Sequence, residues 1–375
     1  MIDIVQKNLV VCGSFGYGNA GDEAIPESIQ DMLNYLGYSY HLHRVARYDH
    51  VDDNNTLSLG DADYQKLDAL KGSPVLMSGG GIFENRDNAT VVRCRGLLSK
   101  SYTKYASLLA VSADAGVQYK WWFRQKLKFF LRSINCIYAR DLLSEQVIKQ
   151  ILPNKKVQTV GDLVLWHQPA PSLAEIKLPP KYIAVCLAPR WAGQPTWMAW
   201  ISAELHDLSL RLDMPIVFVS MTGKHDNDNE EHARIMAQIQ KIVPDVEMLC
   251  MPDTLNAREV HHVFARASFV VSSRLHGCVM AYSSRVPFVG LAYHPKLIGF
   301  AQTVEWRNMM LPDQMPEQQQ AGTYGYGFDL LGLRPGDLLR KAELALAQPN
   351  FDRLEPLKQA SLATLKHFLD KANTP

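Results

Sequence analysis

Short apolar runs alternate with amphipathic stretches along almost the whole chain. The runs NLVVCGSF (8–15), SYHLHRV (39–45), PVLMSGG (74–80), SLLAVSA (107–113), CIYAR (136–140) and VQTVGD (157–162) have strand length, and helical periodicity fills the gaps between them. A Pro-rich stretch, HQPAPSLAEIKLPP (167–180), breaks both periods and reads as a linker. The alternation resumes with YIAVCLAP (182–189), PIVFVSM (215–221), VEMLCMP (246–252), SFVVSS (268–273) and PFVGLAY (287–293). Strands separated by helices predict parallel sheets with right-handed crossovers. The expected fold is therefore α/β: two Rossmann-like domains, residues 1–168 and 169–335, facing a cleft. A helical tail over 336–375 is expected to pack back across them.

Composition changes little in this picture. With 375 residues, 47% apolar content and a formal charge of +1, the chain can build two cores and has no global pull towards nucleic acid. Six cysteines without a C-x-x-C pair suit reduced core positions and the cytoplasm. The apolar part of MIDIVQKNLVV is too short for a signal peptide, and no run reaches the length of a membrane span.

In open parallel sheets, ligands bind beyond the carboxyl ends of the strands. The segments just after each run therefore carry the candidate chemistry. The first, GYGNAG (16–21), satisfies the glycine pattern of dinucleotide-binding loops. Two features oppose that reading. Asp22 and Glu23 follow at once and would repel a pyrophosphate on the same N–H groups. The expected second-strand acid is missing from HLHRVARYD, whose first acid is Asp49. Asp22 is then most simply a helix cap. Ser14, Gly16, Asn19 and Glu23 remain as cleft-wall candidates that bring backbone and polar groups close to a ligand.

Residues 260–304 contain no Asp or Glu but carry Arg266, Arg274, Arg285 and Lys296, with His261, His262, His276 and His294. Arg274 and His276 follow SFVVSS, with a helix expected from Gly277, and Lys296 follows PFVGLAY in the turn YHPK. If the two strands are neighbours, these groups converge on an acid-free site suited to a small polyanion. A strand-end histidine is more often structural, but His276 shares its loop with Arg274. Arg140 and Arg190 end strands on opposite sides of the linker and would clamp one anion from two sides.

Together these blocks resemble the polysaccharide pyruvyl transferase family over nearly the whole chain. The resemblance rests on GSFGYGNAGDEAI, SGGGIF, YARDLLSEQVI, VGD and SSRLHGCVMAYSSRVPFVGLAYHPK. It implies the two-Rossmann GT-B glycosyltransferase architecture. It also implies phosphoenolpyruvate as donor and co-substrate, with no cofactor or metal. The implied acceptor is a sugar diol on a glycan or lipid-linked sugar, and the product a pyruvate ketal of a bacterial surface polysaccharide. By motif position Arg140, His276 and Lys296 are implied as donor-binding or catalytic residues. His276 would be the acid/base, Arg140, Arg274 and Lys296 the anion holders, and Asp22 or Glu23 the group that orients the acceptor. Gly80 and Gly277 offer close backbone approach. His294 stands where the family usually has Asp, and Pro26 where it has a longer apolar residue. A nucleotide-sugar glycosyltransferase of the same architecture is an alternative, opposed by the missing glutamates in 260–304. A non-catalytic anion-binding protein is another, opposed by the intact Arg140, His276 and Lys296 set.

One segment stands apart. YKWWFRQKLKFFLR (119–132) has five basic residues and no acid. The ordinary expectation is a domain helix with its aromatics in the core. The alternative is peripheral contact with the inner face of the cytoplasmic membrane.

Overall fold

Strand-forming runs that are apolar throughout must be covered on both faces, as a parallel sheet requires. The computed structural model describes residues 7–46, 56–58, 64–79, 96–99, 102–113, 121–132, 134–174, 176–189, 194–222, 227–244, 246–310 and 333–374. The first sheet comprises β1 (Lys7–Cys12), β2 (Tyr40–Ala46), β3 (Thr56–Ser58), β4 (Val75–Ser78), β5 (Ala106–Val111), β6 (Cys136–Ala139) and β7 (Val157–Thr159). The second comprises β8 (Ile183–Cys186), β9 (Ile216–Phe218), β10 (Met248–Cys250), β11 (Phe269–Ser272), β12 (Phe288–Leu291) and β13 (Met309–Met310). Their orders are β3-β2-β1-β4-β5-β6-β7 and β10-β9-β8-β11-β12-β13, with every pairing parallel. The alternating pattern thus gives two doubly wound sheets. It does not give the edge strands β3 and β13, whose two or three residues are too few to show a period.

The order reverses at β1/β4 and at β8/β11, the crevices where such folds bind ligands. The helix α1 (Ala20–Tyr35) starts at the first crevice, after β1, and the helix following β11 starts at the second; those following β6 and β12 start further out along the sheets. In chain order the remaining helices are α2 (Tyr64–Ala69), α3 (Trp121–Arg132), α4 (Leu142–Ile151), α5 (Pro195–Leu212), α6 (Asp228–Ile242), α7 (Ala257–Arg266), α8 (Leu275–Ser283), α9 (Pro295–Thr303), α10 (Asp337–Ala347) and α11 (Leu354–Ala372).

The chain ends by crossing back. Glu204 on α5 caps α10 by accepting from the N–H groups of Gly336 and Leu338. The last helix, α11, lies on the first sheet: Trp166 Nε1 donates to Lys358 O, Tyr38 donates to Asp370, and Tyr105 packs on Phe368. The linker begins as a fastener. His167 is buried, with Nε2 2.9 Å from Glu27 of α1 and Nδ1 3.0 Å from His261 of α7. Arg258 of α7 bonds Glu27 and Asp31 across the same seam. One hydrophobic cluster runs from α1 and Trp166 through the second sheet to α11. Such an apolar interface holds the two domains in a defined relation.

Candidate functional site

The glycine loop reaches the second domain directly. Gly16 and Gly18 take positive φ (82° and 70°), which lets the chain turn tightly from β1 into α1. Ala20 N donates to Met221 O at 2.8 Å, and Asn19 bridges Thr222. Asn19 caps α1, accepting from the N–H groups of Gly21 and Asp22 (3.0 and 3.3 Å), while Glu23 N donates to Asn19 O. The cap is therefore Asn19, and Asp22 sits in the first turn. All four leading N–H groups are satisfied within the protein, so none remains for a pyrophosphate. Pro26 lies inside α1 and not at its opening, and leaves the carbonyl of Asp22 without a helical donor.

Glu23 folds back so that its Oε1 accepts from Gly16 N at 2.7 Å. Burial pushes its pKa up from 4.5 to about 6, against the lowering effect of that bond, with Asp22 adding repulsion. The folded protein thus keeps a proton that the unfolded chain loses between about pH 4.5 and 6, and stability falls as pH rises through that window. Glu23→Gln keeps the acceptor and removes the titration. Urea melts on either side of the window are expected to show that fall in the native protein and not in the variant.

His276 enters from the opposite side. It lies in the first turn of α8 and is 8% exposed. It packs against the backbone of Gly21, where a Cβ would stand 2.1 Å from Nδ1. Its Nε2 faces Asp162 Oδ2 at 3.6 Å, within ion-pair range but too long for a formed hydrogen bond. Both atoms are buried and, among the described residues, have no hydrogen-bond partner. Asp162 follows β7 and caps the short 3₁₀ turn Leu163–Trp166 through Oδ1, accepting from Val164 N. Burial would raise its pKa, but His276 and the Arg140 charge outweigh that and hold it below the usual carboxylate range.

Arg140 closes the group. It is 7% exposed at the end of β6, with Nε 3.1 Å from Asp141 Oδ2 and 3.9 Å from Asp162 Oδ2. Among the described residues, its two terminal nitrogens have no partner. Asp141 caps α4 by accepting from Ser144 N, and α9 packs on that cap: a Cβ at Gly299 would meet Asp141 Oδ1 at 2.8 Å, and Leu142 N donates to Thr303 Oγ1. Lys296 is half-buried three residues before Gly299, on the same helix face, and its ammonium has no acid partner among the described residues. His294 caps α9 with Nδ1 accepting from Lys296 N at 3.2 Å. It thus performs the capping an aspartate would, and its acceptor role at Nδ1 places the proton of the neutral ring on Nε2.

The expectation of an acid-free site does not hold. Residues 260–304 lack acids, but Asp141, Asp162 and Asp228 reach the site from other segments. Arg274 is committed to Asp228: Nε lies 3.2 and 3.3 Å from its carboxylate oxygens, and Nη2 donates to it as well. Burial works against that charge, but Asp228 holds the guanidinium protonated. Asp228 is fully buried and also accepts from Met221 N, the residue whose carbonyl receives Ala20 of the first domain. Arg274 therefore braces the cleft wall. Gly277 lies so close to Ser272 that a Cβ would stand 2.4 Å from its Oγ, and the N-cap residue of α8, Arg274, makes no side-chain cap among the described residues. Ser14 is half-buried in the turn after β1. Gly80 and Arg190 lie outside the described residues. Among the described residues, no group of three or more His, Cys, Asp or Glu side chains could hold a metal ion, and no helix is long and apolar enough to cross a membrane.

Sequence reasoning did not select Asp162 or Asp228. Asp162 had a signal, since it ends a strand as Arg140 does. Asp228 had none, lying in the polar run MTGKHDNDNEE (221–231) that reads as solvated.

A family model described as polysaccharide pyruvyl transferase matches residues 19–295. No curated protein matches the chain. Among solved structures, UDP-GlcNAc 2-epimerase from Methanocaldococcus jannaschii superposes with a TM-score of 0.59 at 11% identity, covering 92% of this chain and 94% of the other. A putative UDP-N-acetylglucosamine 2-epimerase from Listeria monocytogenes gives 0.56 at 12%, covering 99% and 98%. The Neisseria meningitidis enzyme bound to UDP-GlcNAc gives 0.55 at 11%, covering 97% and 100%. At such identities the likeness is one of fold, a GT-B-like pair of α/β domains.

Proposed function

The chain belongs to the polysaccharide pyruvyl transferase family, and from that premise we propose that its cleft transfers the enolpyruvyl group of phosphoenolpyruvate to a sugar diol, forming a pyruvate ketal. The observation that carries this reading is the Arg140–Asp162–His276 cluster, with buried Nε2 and Oδ2 facing each other across the domain boundary. An ionised Asp162 favours the proton on Nε2 and fixes the ring, leaving Nδ1 for proton transfer. A 3.6 Å gap that tightens when substrate arrives is common in unliganded acid/base sites.

His276 would protonate the donor methylene, making a methyl group and an oxocarbenium-like carbon. One sugar hydroxyl attacks that carbon, and the C–O bond to phosphate breaks. A second hydroxyl then closes the ketal. The two hydroxyl protons balance the one taken up by the methyl group and the one leaving on phosphate. Arg140 offers two nitrogens for a forked bond to carboxylate or phosphate, Lys296 a point charge, and the open N-terminus of α8 its N–H groups. Asp22 and Glu23 line the opposite wall, where Glu23, ionised above about pH 6, can accept a hydroxyl proton. Among the described residues the cysteines form no disulfide, which suits a reducing, cytoplasmic setting for the reaction.

The test is phosphate release from phosphoenolpyruvate in the presence of glycans bearing free diols. Release that requires the diol, with a ketal product visible by mass spectrometry, is the expected result. Turnover of UDP-GlcNAc with no phosphate release from phosphoenolpyruvate would assign the cleft to nucleotide-sugar chemistry instead.

A further inference from the structure

The helix α3 presents Trp121, Trp122 and Phe129 to solvent, while Phe130 is half-buried and packs against the core. Leu127 and Leu131 occupy the buried face and pack in the core behind the first sheet. Trp121 is 76% exposed, Trp122 45% and Phe129 82%. Trp122, Lys126 and Phe129 follow one another at i, i+4 and i+7, which makes a single ridge on the side opposite Leu127 and Leu131. Lys126 Nζ lies 5.1 Å over the Trp122 ring. Lys126 lies on this ridge and Arg132 is exposed on its flank, Lys128 is half-buried, and the helix contains no acid; Arg124 lies on the other side, where Nη2 donates to Gln150 O. At its C-terminal end opens a pocket of about 240 Å³ that includes Lys128, Arg132 and Lys155 in its lining.

A solvated helix face has no use for three exposed aromatic rings, and so many like charges oppose pairing with a second copy of the same face. The surface is a convex ridge and not a groove, so it suits a flat partner better than a peptide. Tryptophan and phenylalanine among lysines and arginines match the headgroup layer of a bilayer, where rings and cations find their preferred surroundings together. We propose that α3 docks the protein on an anionic phospholipid surface. Trp121, Trp122 and Phe129 enter the headgroup layer, and Lys126, Lys128 and Arg132 pair with lipid phosphates, one of them seated in the adjoining pocket. This inference is independent of the reaction assigned to the cleft, because Arg140, Asp162 and His276 take no part in it.

The test is flotation of the full chain with vesicles of phosphatidylcholine alone and of phosphatidylcholine mixed with phosphatidylglycerol. Binding to the mixed vesicles only, weakened by salt and about tenfold weaker in Trp121→Ser/Phe129→Ser, is the expected result. Circular dichroism and a urea melt matching the native protein show that the variant is folded. Lys126→Gln/Arg132→Gln is expected to lose the preference for anionic lipid. Flotation with neither vesicle, equal flotation with both, or an unchanged double aromatic variant would each overturn the proposal. So would a fall in oligomer size in that variant without any vesicle binding, which would make the face a contact between copies.

Discussion

His276→Ala is expected to lower diol-dependent phosphate release from phosphoenolpyruvate by about 10²–10⁴-fold, mainly in kcat. The imidazole bridges two domains: Nε2 faces the buried Asp162, and the ring lies on the backbone of Gly21. If His276 carries the proton and Arg140 and Lys296 hold the donor, as proposed, KM should move less than kcat. Two companions separate this role from a packing role. Asp162→Asn keeps the shape of the site but removes the charge that fixes the ring. It is expected to lower kcat and shift the pH profile of the reaction. Gly21→Ala places a methyl 2.1 Å from Nδ1 and 2.4 Å from the Cβ of His276, so ring or domain must move, and activity should fall together with the urea midpoint of unfolding, the signature of a packing defect. Native turnover by His276→Ala at saturating donor would remove His276 from the acid/base role.

Arg274→Ala is expected to cost about 3–5 kcal/mol of unfolding free energy, because it leaves a buried carboxylate without its partner. Asp228 has no exposed surface, and its carboxylate accepts from Arg274 and from Met221 N. The damage should spread along a short chain of contacts, since Met221 O receives Ala20 N and Thr222 bridges Asn19. The glycine loop would then lose its anchor on the second domain, and activity would fall with stability. Arg274→Met/Asp228→Asn removes both charges, keeps an acceptor for Met221 N, and should lose less than Arg274→Met alone. Urea denaturation measures the difference. A loss below about 1 kcal/mol in Arg274→Ala would mean that Asp228 finds its charge balance elsewhere.

The contrast between Asp228 and Trp121 shows where a linear reading fails. Asp228 sits in a run of polar residues, so local composition places it in water, yet it is buried under an arginine 46 positions away. Trp121 and Phe129 belong to an amphipathic pattern whose usual outcome is core burial, yet they face solvent because Leu127 and Leu131 fill the buried face first. Burial of one face fixes the orientation of every residue on a helix, and a segment with apolar residues on two sides does not say which side will win.

The two parallel sheets are legible along the chain, because strand and helix periods are local properties of consecutive residues. The sequence also puts Arg140, His276 and Lys296 just past the carboxyl ends of strands, where chemistry in such sheets gathers. The pairing of β11 with β12 then brings the segments carrying His276 and Lys296 side by side. What these groups face is fixed by three-dimensional packing. The pairs His276–Asp162 and Arg274–Asp228 join residues 114 and 46 positions apart, and the Gly21–His276 contact joins different domains. Charge balance inside a protein is set by distance and burial, which depend on packing and not on neighbourhood along the chain.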